Sequence, residues 1–327
     1  MNLILKIIKI FPPEASHLIA LHALNILHKL KLLSLFTKKY KNDEHMFGGI
    51  TLSNRLGTAA GLDKNGDFID CLGALGFGFI EVGTITPLPQ PGNPKPRVFR
   101  LFDQNAVINR LGFNNKGVDH LVKKLKSRKY KGVVGVNIGA NKSSDGQQRI
   151  NDYILCFNKV AQYSDYVTIN ISSPNTPGLR NLHDDKNIKN LIESIENSAR
   201  ELNFNKPIFL KISPDEPLEV IKSIAEYIQK SILTGLIISN TTINKEPLKN
   251  SIYEEFEGGL SGSPLMERST SLLRVINEAY PELPIIGVGG VMSKEDFKKK
   301  LESGALLVQI YTGFIIKGPR IVSDILN

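Results

Sequence analysis

Eight short runs rich in valine, isoleucine and phenylalanine recur along the chain, and each closes on glycine, asparagine, lysine or threonine. They fall at residues 55–60, 78–83, 132–137, 165–169, 207–211, 235–240, 284–289 and 305–311, with amphipathic segments between them. Alternation of this kind predicts strand–helix units packed around a parallel sheet. Eight units predict an α/β chain folded as a (β/α)8 TIM barrel. The polar residue stands at the same end of every run, the end at which such barrels carry their ligand sites.

The densest polar ending is Asn170-Ile-Ser-Ser-Pro-Asn-Thr-Pro-Gly178, directly after the buried run Asp165-Tyr-Val-Thr-Ile169. Two prolines stiffen a loop crowded with amides and hydroxyls. It reads either as a ligand-gripping loop or as an ordinary Asx- and Pro-rich turn. After the last two runs come Gly287-Val-Gly-Gly290 and Tyr311-Thr-Gly313. Such turns let backbone N–H groups approach a phosphate, as in flavin, nucleotide or sugar-phosphate sites. There is no Walker loop, and Gly73-Ala-Leu-Gly-Phe-Gly78 has the wrong glycine order for a dinucleotide fingerprint. Lys211 ends an apolar run, so its ammonium is expected at the barrel mouth, where a cation stabilises negative charge on a reduced ring. Lys64 follows the small-residue turn Ala59-Ala-Gly-Leu-Asp, with a salt bridge to Asp63 or Asp67 as the plainer alternative.

A chain of 327 residues with 41% hydrophobic content can bury such a barrel, for which about 250 residues is typical. No internal repeat or low-complexity tract interrupts it. Cys71 and Cys156 are too few for a disulfide framework and match no metal spacing, so a reducing compartment and no metal site are expected. Asn170 and Asn240 begin Asn-x-Ser/Thr triplets, but both fall at strand ends rather than in surface loops.

Residues 1–45 differ in character from the barrel expected over 46–327. Seven lysines against three acids give the segment +4 of the chain's +9, and four of the six histidines lie there. Leu3, Ile4, Ile7 and Ile8 mark one face of a first helix. After Pro12-Pro13, a second runs through Leu18, Leu21, Leu24, Leu27 and Leu30. No run is long enough to span a bilayer, no small-residue cleavage site follows, and the first arginine is Arg55. The pattern fits a two-helix interfacial membrane anchor, or equally a helical hairpin packed on the barrel or on a partner. Large apolar faces without a recognition motif argue against nucleic acid.

Taken together, Ala59-Ala-Gly-Leu-Asp-Lys64, Asn109-Arg-Leu-Gly-Phe-Asn-Asn115, the 170–180 loop ending in Leu179-Arg180, Gly258-Gly-Leu-Ser-Gly262, Ile286-Gly-Val-Gly-Gly290 and Val308-Gln-Ile-Tyr-Thr-Gly313 resemble the dihydroorotate dehydrogenase family. The likeness spans the barrel in the right order. It implies FMN at the mouth, oxidation of dihydroorotate to orotate in pyrimidine (UMP) synthesis, and a membrane-associated, quinone-using class 2 member. Ser173 stands at that class's base position, where soluble class 1 enzymes usually carry cysteine.

By the same resemblance, Ala60, Gly61, Leu62, Asp63, Lys64, Thr84, Asn137, Asn170, Lys211, Ser239, Gly262, Gly290, Tyr311 and Thr312 would hold FMN. Lys64, Asn109, Arg110, Leu111, Gly112, Phe113, Asn114, Asn170, Asn175, Asn240 and Thr241 would bind the pyrimidine and its carboxylate. Ser173 would take a proton from C5 as C6 gives hydride to the flavin, with Phe113 and Thr176 along the proton's way out. The resemblance also implies a monomer without an obligate protein partner, held peripherally on the cytoplasmic face of a bacterial inner membrane, with a quinone reaching the flavin between the N-terminal helices. Rival readings are a class 1 enzyme, a phosphate-binding barrel without catalysis, and a protein-docking role for residues 1–45.

Overall fold

The computed structural model describes residues 10–33, 43–175 and 185–327. The first expected helix, apart from Ile10, lies outside the described residues, as does Thr176. The second is helix α1 (Pro13–Lys29), opened by Pro12-Pro13 as a proline-led first turn allows. A hairpin of β1 (His45–Phe47) and β2 (Ile50–Leu52) comes next, then β3 (Leu56–Thr58) and β4 (Phe79–Ile85). The chain detours through β5 (Val98–Leu101) and β6 (Ala106–Asn109), then continues with β7 (Val133–Ile138), β8 (Tyr166–Asn170), β9 (Ile208–Ile212) and β10 (Gly235–Ile238). A single strand, β11 (Gly259–Gly262), precedes β12 (Ile285–Val288) and β13 (Leu307–Ile310).

Eight of these strands close a parallel barrel in the order β3-β4-β7-β8-β9-β10-β12-β13, and each of the eight apolar runs supplies one of them. The (β/α)8 expectation is therefore met. Residues one apart along each strand face opposite ways. Ile80, Val82, Val134, Val136, Val167, Ile169, Leu210 and Val308 turn outward to the helix layer. Phe79, Val133, Tyr166, Phe209, Ile237, Ile286 and Leu307 turn inward as a separate cluster.

The inward cluster fills the amino-terminal half of the barrel. Leu52, Phe47 and Ile50 of the hairpin pack onto it, with the Phe47 and Phe209 rings 5.6 Å apart, so the hairpin plugs that end. Room for the large rings is made by glycines opposite them. A Cβ on Gly57 would lie 2.3 Å from the Phe79 ring, and one on Gly135 would lie 2.0 Å from the Tyr166 ring. Interior layers of complementary size are how barrels of this kind pack.

At the carboxyl end the antiparallel sheet β5-β6-β11 stands over the barrel. It pairs Asn109 with Gly259 and Ala106 with Gly262, so two distant sequence motifs meet above the mouth. This sheet and the hairpin were not expected from the strand count, because their strands are short and lie between barrel units. Helix α1 docks beside the same mouth. Arg97 reaches both Glu14 carboxylate oxygens at 2.8–3.2 Å, Arg100 donates to Ser16 Oγ at 3.1 Å, and Leu21 and Leu24 join the core.

Candidate active site

The strand ends and the β5-β6-β11 sheet surround a cleft of about 1030 Å³, its open mouth included. Ala60, Gly61 and Lys64 follow β3, Thr84 lies near the end of β4, Asn170 ends β8, and Ser173 and Asn175 follow it. Lys211 comes from β9, Ser239, Asn240 and Thr241 follow β10, Asn109 ends β6, and Leu111, Gly112 and Phe113 come after it. Gly262, Gly290, Tyr311 and Thr312 complete the lining. Nineteen of the residues singled out in the sequence thus converge on one cavity, although they are spread over more than 250 positions.

The other singled-out residues sit behind or beside it. Leu62 is buried in the core, where its carbonyl accepts from His17 Nε2 at 2.8 Å. The Asp63 carboxylate takes the backbone N–H groups of Asn65, Asp67 and Phe68, a turn that shapes the Lys64 loop. Asn137 is fully buried beneath Thr84 and Asn170. Arg110 turns outward to Glu257 at 2.8 Å. Asn114 does not line the cleft, and its Oδ1 is buried without a partner.

Two cations reach the cleft, and neither has a hydrogen-bonded anion among the described residues. The plainer alternative for Lys64 is absent, because Asp63 is occupied by backbone and Asp67 is held by Lys116, His120 and Lys124 at 2.9–3.1 Å. Burial pulls the Lys64 ammonium down to about 8, against the opposing charge of Glu14. Lys211 is 5% exposed, and burial lowers its pKa too, with the charge of Glu81 acting the other way. His17, stacked 6.5 Å from Tyr311, is pushed down to about 4 by burial and by Lys64, so it is neutral at ordinary pH. Burial raises Asp63 to about 6.

The Ser173 hydroxyl is nearly buried. Its Oγ accepts from the Asn175 N–H at 3.3 Å, and no titratable side chain among the described residues is hydrogen-bonded to it. The strand pattern passed over three buried polar residues of this region. Glu81, Ser172 and Gln309 are each 0% exposed, and Gln309 lines the cleft with its Oε1 unpartnered. A signal for two of them was present: a charge and an amide in the middle of otherwise apolar strands.

The model of the family described as dihydroorotate dehydrogenase matches residues 44–327. This chain belongs to the dihydroorotate dehydrogenase family. A relative from Saccharophagus degradans, named dihydroorotate dehydrogenase (quinone), is 46% identical over 95% of this chain and 93% of its own. One of the same name from Aliivibrio fischeri is 48% identical over 85% of this chain and 84% of its own. A crystal structure of the Eimeria tenella enzyme in complex with ferulenol is similar at a TM-score of 0.84. It shares 33% identity, covering 93% of this chain and 88% of that one.

Lys64 makes the charge of the cleft depend on pH. Its pKa is depressed, so the ammonium is present below about pH 8 and lost above it. A carboxylate ligand paired with it, orotate included, should bind with constant affinity below that pH and weaken by up to about tenfold per unit above it. Orotate titrations of the parent and of Lys64→Met check this. The variant should bind weakly with no step, and an unchanged step would remove Lys64 from the pairing.

Proposed function

We propose that the cleft holds FMN and that its residues divide between gripping the cofactor and handling dihydroorotate. As a quinone-type member of its family, the chain oxidises dihydroorotate to orotate in pyrimidine biosynthesis, with a quinone as electron acceptor. The observation that carries the cofactor reading is Lys211. A buried ammonium without a hydrogen-bonded anion is costly unless a ligand brings negative charge to it.

The donor set fits FMN on further counts. The unpartnered Gln309 Oε1 is a buried acceptor on the cleft wall that suits a ring N–H group. Gly61, Gly262 and Gly290 have φ of +96°, +94° and +84°, backbone that keeps side chains out of the cofactor's path. Bound there, FMN supplies a two-electron acceptor. Lys211 stabilises negative charge at the reduced ring, and Ala59, Ala60 and Gly61 leave a flat surface against it.

Toward the substrate, Asn109, Asn175, Asn240 and Thr241 offer neutral donors and acceptors for an imide edge, while Lys64 meets the carboxylate. Ser173 receives the proton released from dihydroorotate. Because no titratable side chain among the described residues is hydrogen-bonded to it, its hydroxyl passes a proton on toward water, with Phe113 beside the way out; Thr176, the other residue expected there, lies outside the described residues.

The division into residues 1–45 and 46–327 separates a membrane- and quinone-facing extension from the catalytic barrel. Supporting this, α1 and its flanks leave Ile10, Phe11, Leu18, Ile19, Ile26, Leu30 and Leu32 exposed, while Leu21 and Leu24 face the core. No described helix is long and apolar enough to cross a membrane. We read the extension as lying in the interface, on the cytoplasmic face of an inner membrane, with the barrel as a monomer.

Ser173→Ala should keep FMN and the fold but slow flavin reduction by roughly 10²–10⁴, the worth of a positioned base. Rapid-mixing kinetics with less than a tenfold loss would take Ser173 out of that role. Leu18→Glu combined with Ile26→Glu should release the protein from anionic vesicles in flotation and slow turnover with a long-chain quinone, leaving reduction by dihydroorotate intact. Unchanged flotation would shift the extension toward a protein-docking role.

A further inference from the structure

Below the cleft, Glu81 carries a fully buried carboxylate on β4. Its Oε2 accepts from Tyr166 Oη at 2.9 Å, Thr168 Oγ1 at 3.1 Å and Gln309 Nε2 at 2.7 Å. Its Oε1 accepts from Asn137 Nδ2 at 2.9 Å. A carboxylate can only accept, so it fixes which end of the Asn137 amide faces it.

The consequence runs upward through the barrel. With Nδ2 committed to Glu81, Asn137 Oδ1 must face the other way, where it accepts from Thr84 Oγ1 at 2.6 Å and from Asn170 Nδ2 at 3.2 Å. Asn170 Nδ2 also donates to Thr84 Oγ1 at 3.0 Å, so Asn170 Oδ1 is turned toward Ser172. There it accepts from the Ser172 N–H at 3.2 Å and the Ser172 hydroxyl at 2.9 Å. The Ser172 Oγ, its proton spent on Asn170, accepts from Asn240 Nδ2 at 3.0 Å, and Asn240 Oδ1 accepts from the Thr241 N–H at 2.7 Å. Every side-chain donor along the line points down toward the carboxylate. The line begins in the barrel core on β4 and ends at the cleft wall after β10.

We propose that Glu81 is a positioning residue: its buried carboxylate polarises the Asn137–Asn170–Ser172 relay and so fixes the orientation in which Asn240 meets the pyrimidine. Asparagine amides can otherwise present either end to a ligand at little steric cost. At a site that must tell an imide N–H from a carbonyl, a flipped amide places two donors or two acceptors face to face, which costs the desolvation of both. The charge at the base of the relay, acting with the Ser172 and Thr241 N–H groups that can only donate, removes that freedom from the amides above it.

The proposal rests on the substrate-site reading given above, and the test separates the two. The readout is orotate affinity, from the perturbation of the flavin spectrum of the holoenzyme. Asn240→Ala alone should weaken orotate by about tenfold or more; normal affinity would sink the site reading and the proposal with it. Glu81→Gln keeps one acceptor oxygen and should lose about threefold, whereas Glu81→Met removes both and should lose about tenfold. Ser172→Ala cuts the relay above the core without touching Glu81 and should by itself cost about tenfold.

The deciding result is the combination. In the Ser172→Ala background either Glu81 substitution should lose most of its effect on orotate, because the link to Asn240 is already broken. A merely structural Glu81 would give losses that multiply, and multiplication within about twofold overturns the proposal while leaving the Asn240 result standing. Should Glu81→Met not fold, Glu81→Gln combined with Ser172→Ala distinguishes the same two outcomes with a side chain of unchanged shape at position 81.

Discussion

The rest of this structure depends on how one buried charge is kept in the middle of a barrel. Taking a carboxylate out of water costs several kcal/mol, and only well-placed donors offset it. Glu81 has four, drawn from β7, β8 and β13. They tie strands that are not all neighbours in the barrel, and they set a polar layer across its waist. Below that layer the interior is aromatic and aliphatic, sealed by the β1-β2 hairpin through Leu52 and Phe47. Above it, amides and lysines rise into the cleft. The barrel is therefore split along its axis into an end that holds it together and an end that does chemistry, with Glu81 at the boundary.

That split explains why the cleft can carry cations without anions at hydrogen-bonding distance. Lys211 stands one strand away from Asn170, with which it is in register, inside a field to which Glu81 contributes favourably. Lys64 lies closer to the N-terminal helix, where the charge of Glu14 supports it and that of Arg97 opposes it. Helix α1 is thus part of the electrostatics of the mouth as well as its flank. Glu14 is gripped by Arg97, and His17 sits between the Leu62 carbonyl and the Tyr311 ring. The helix that turns Leu18 and Ile26 outward is fastened, on its other side, to residues that border the proposed flavin site.

Much of this was legible in the sequence, and for a physical reason. Barrel strands buried on both faces read as apolar runs, and their polar endings mark the mouth. Hence all eight strands and the end of each that faces the mouth could be placed from the pattern, while the individual site residues, from Ala60 to Thr312, came from the family resemblance. The hairpin and the β5-β6-β11 sheet could not, since strands of three or four residues lack a period to detect. Arg110 also illustrates the limit: it lies in a motif whose neighbours line the cleft, yet its side chain leaves for Glu257. Glu81 and Gln309 were hidden differently. Each sits inside a run that is otherwise apolar, and one polar residue there gives no hint of the partners that only closure of the barrel brings together.

The central claim is that this chain is an FMN barrel that takes electrons from dihydroorotate and gives them to a quinone. An anaerobic titration of the purified protein tests it most directly, following the oxidised flavin absorbance. The expected result is a yellow protein that dihydroorotate bleaches and a long-chain quinone restores, with NADH unable to bleach it comparably. A colourless protein, or flavin that dihydroorotate leaves oxidised, would contradict the claim.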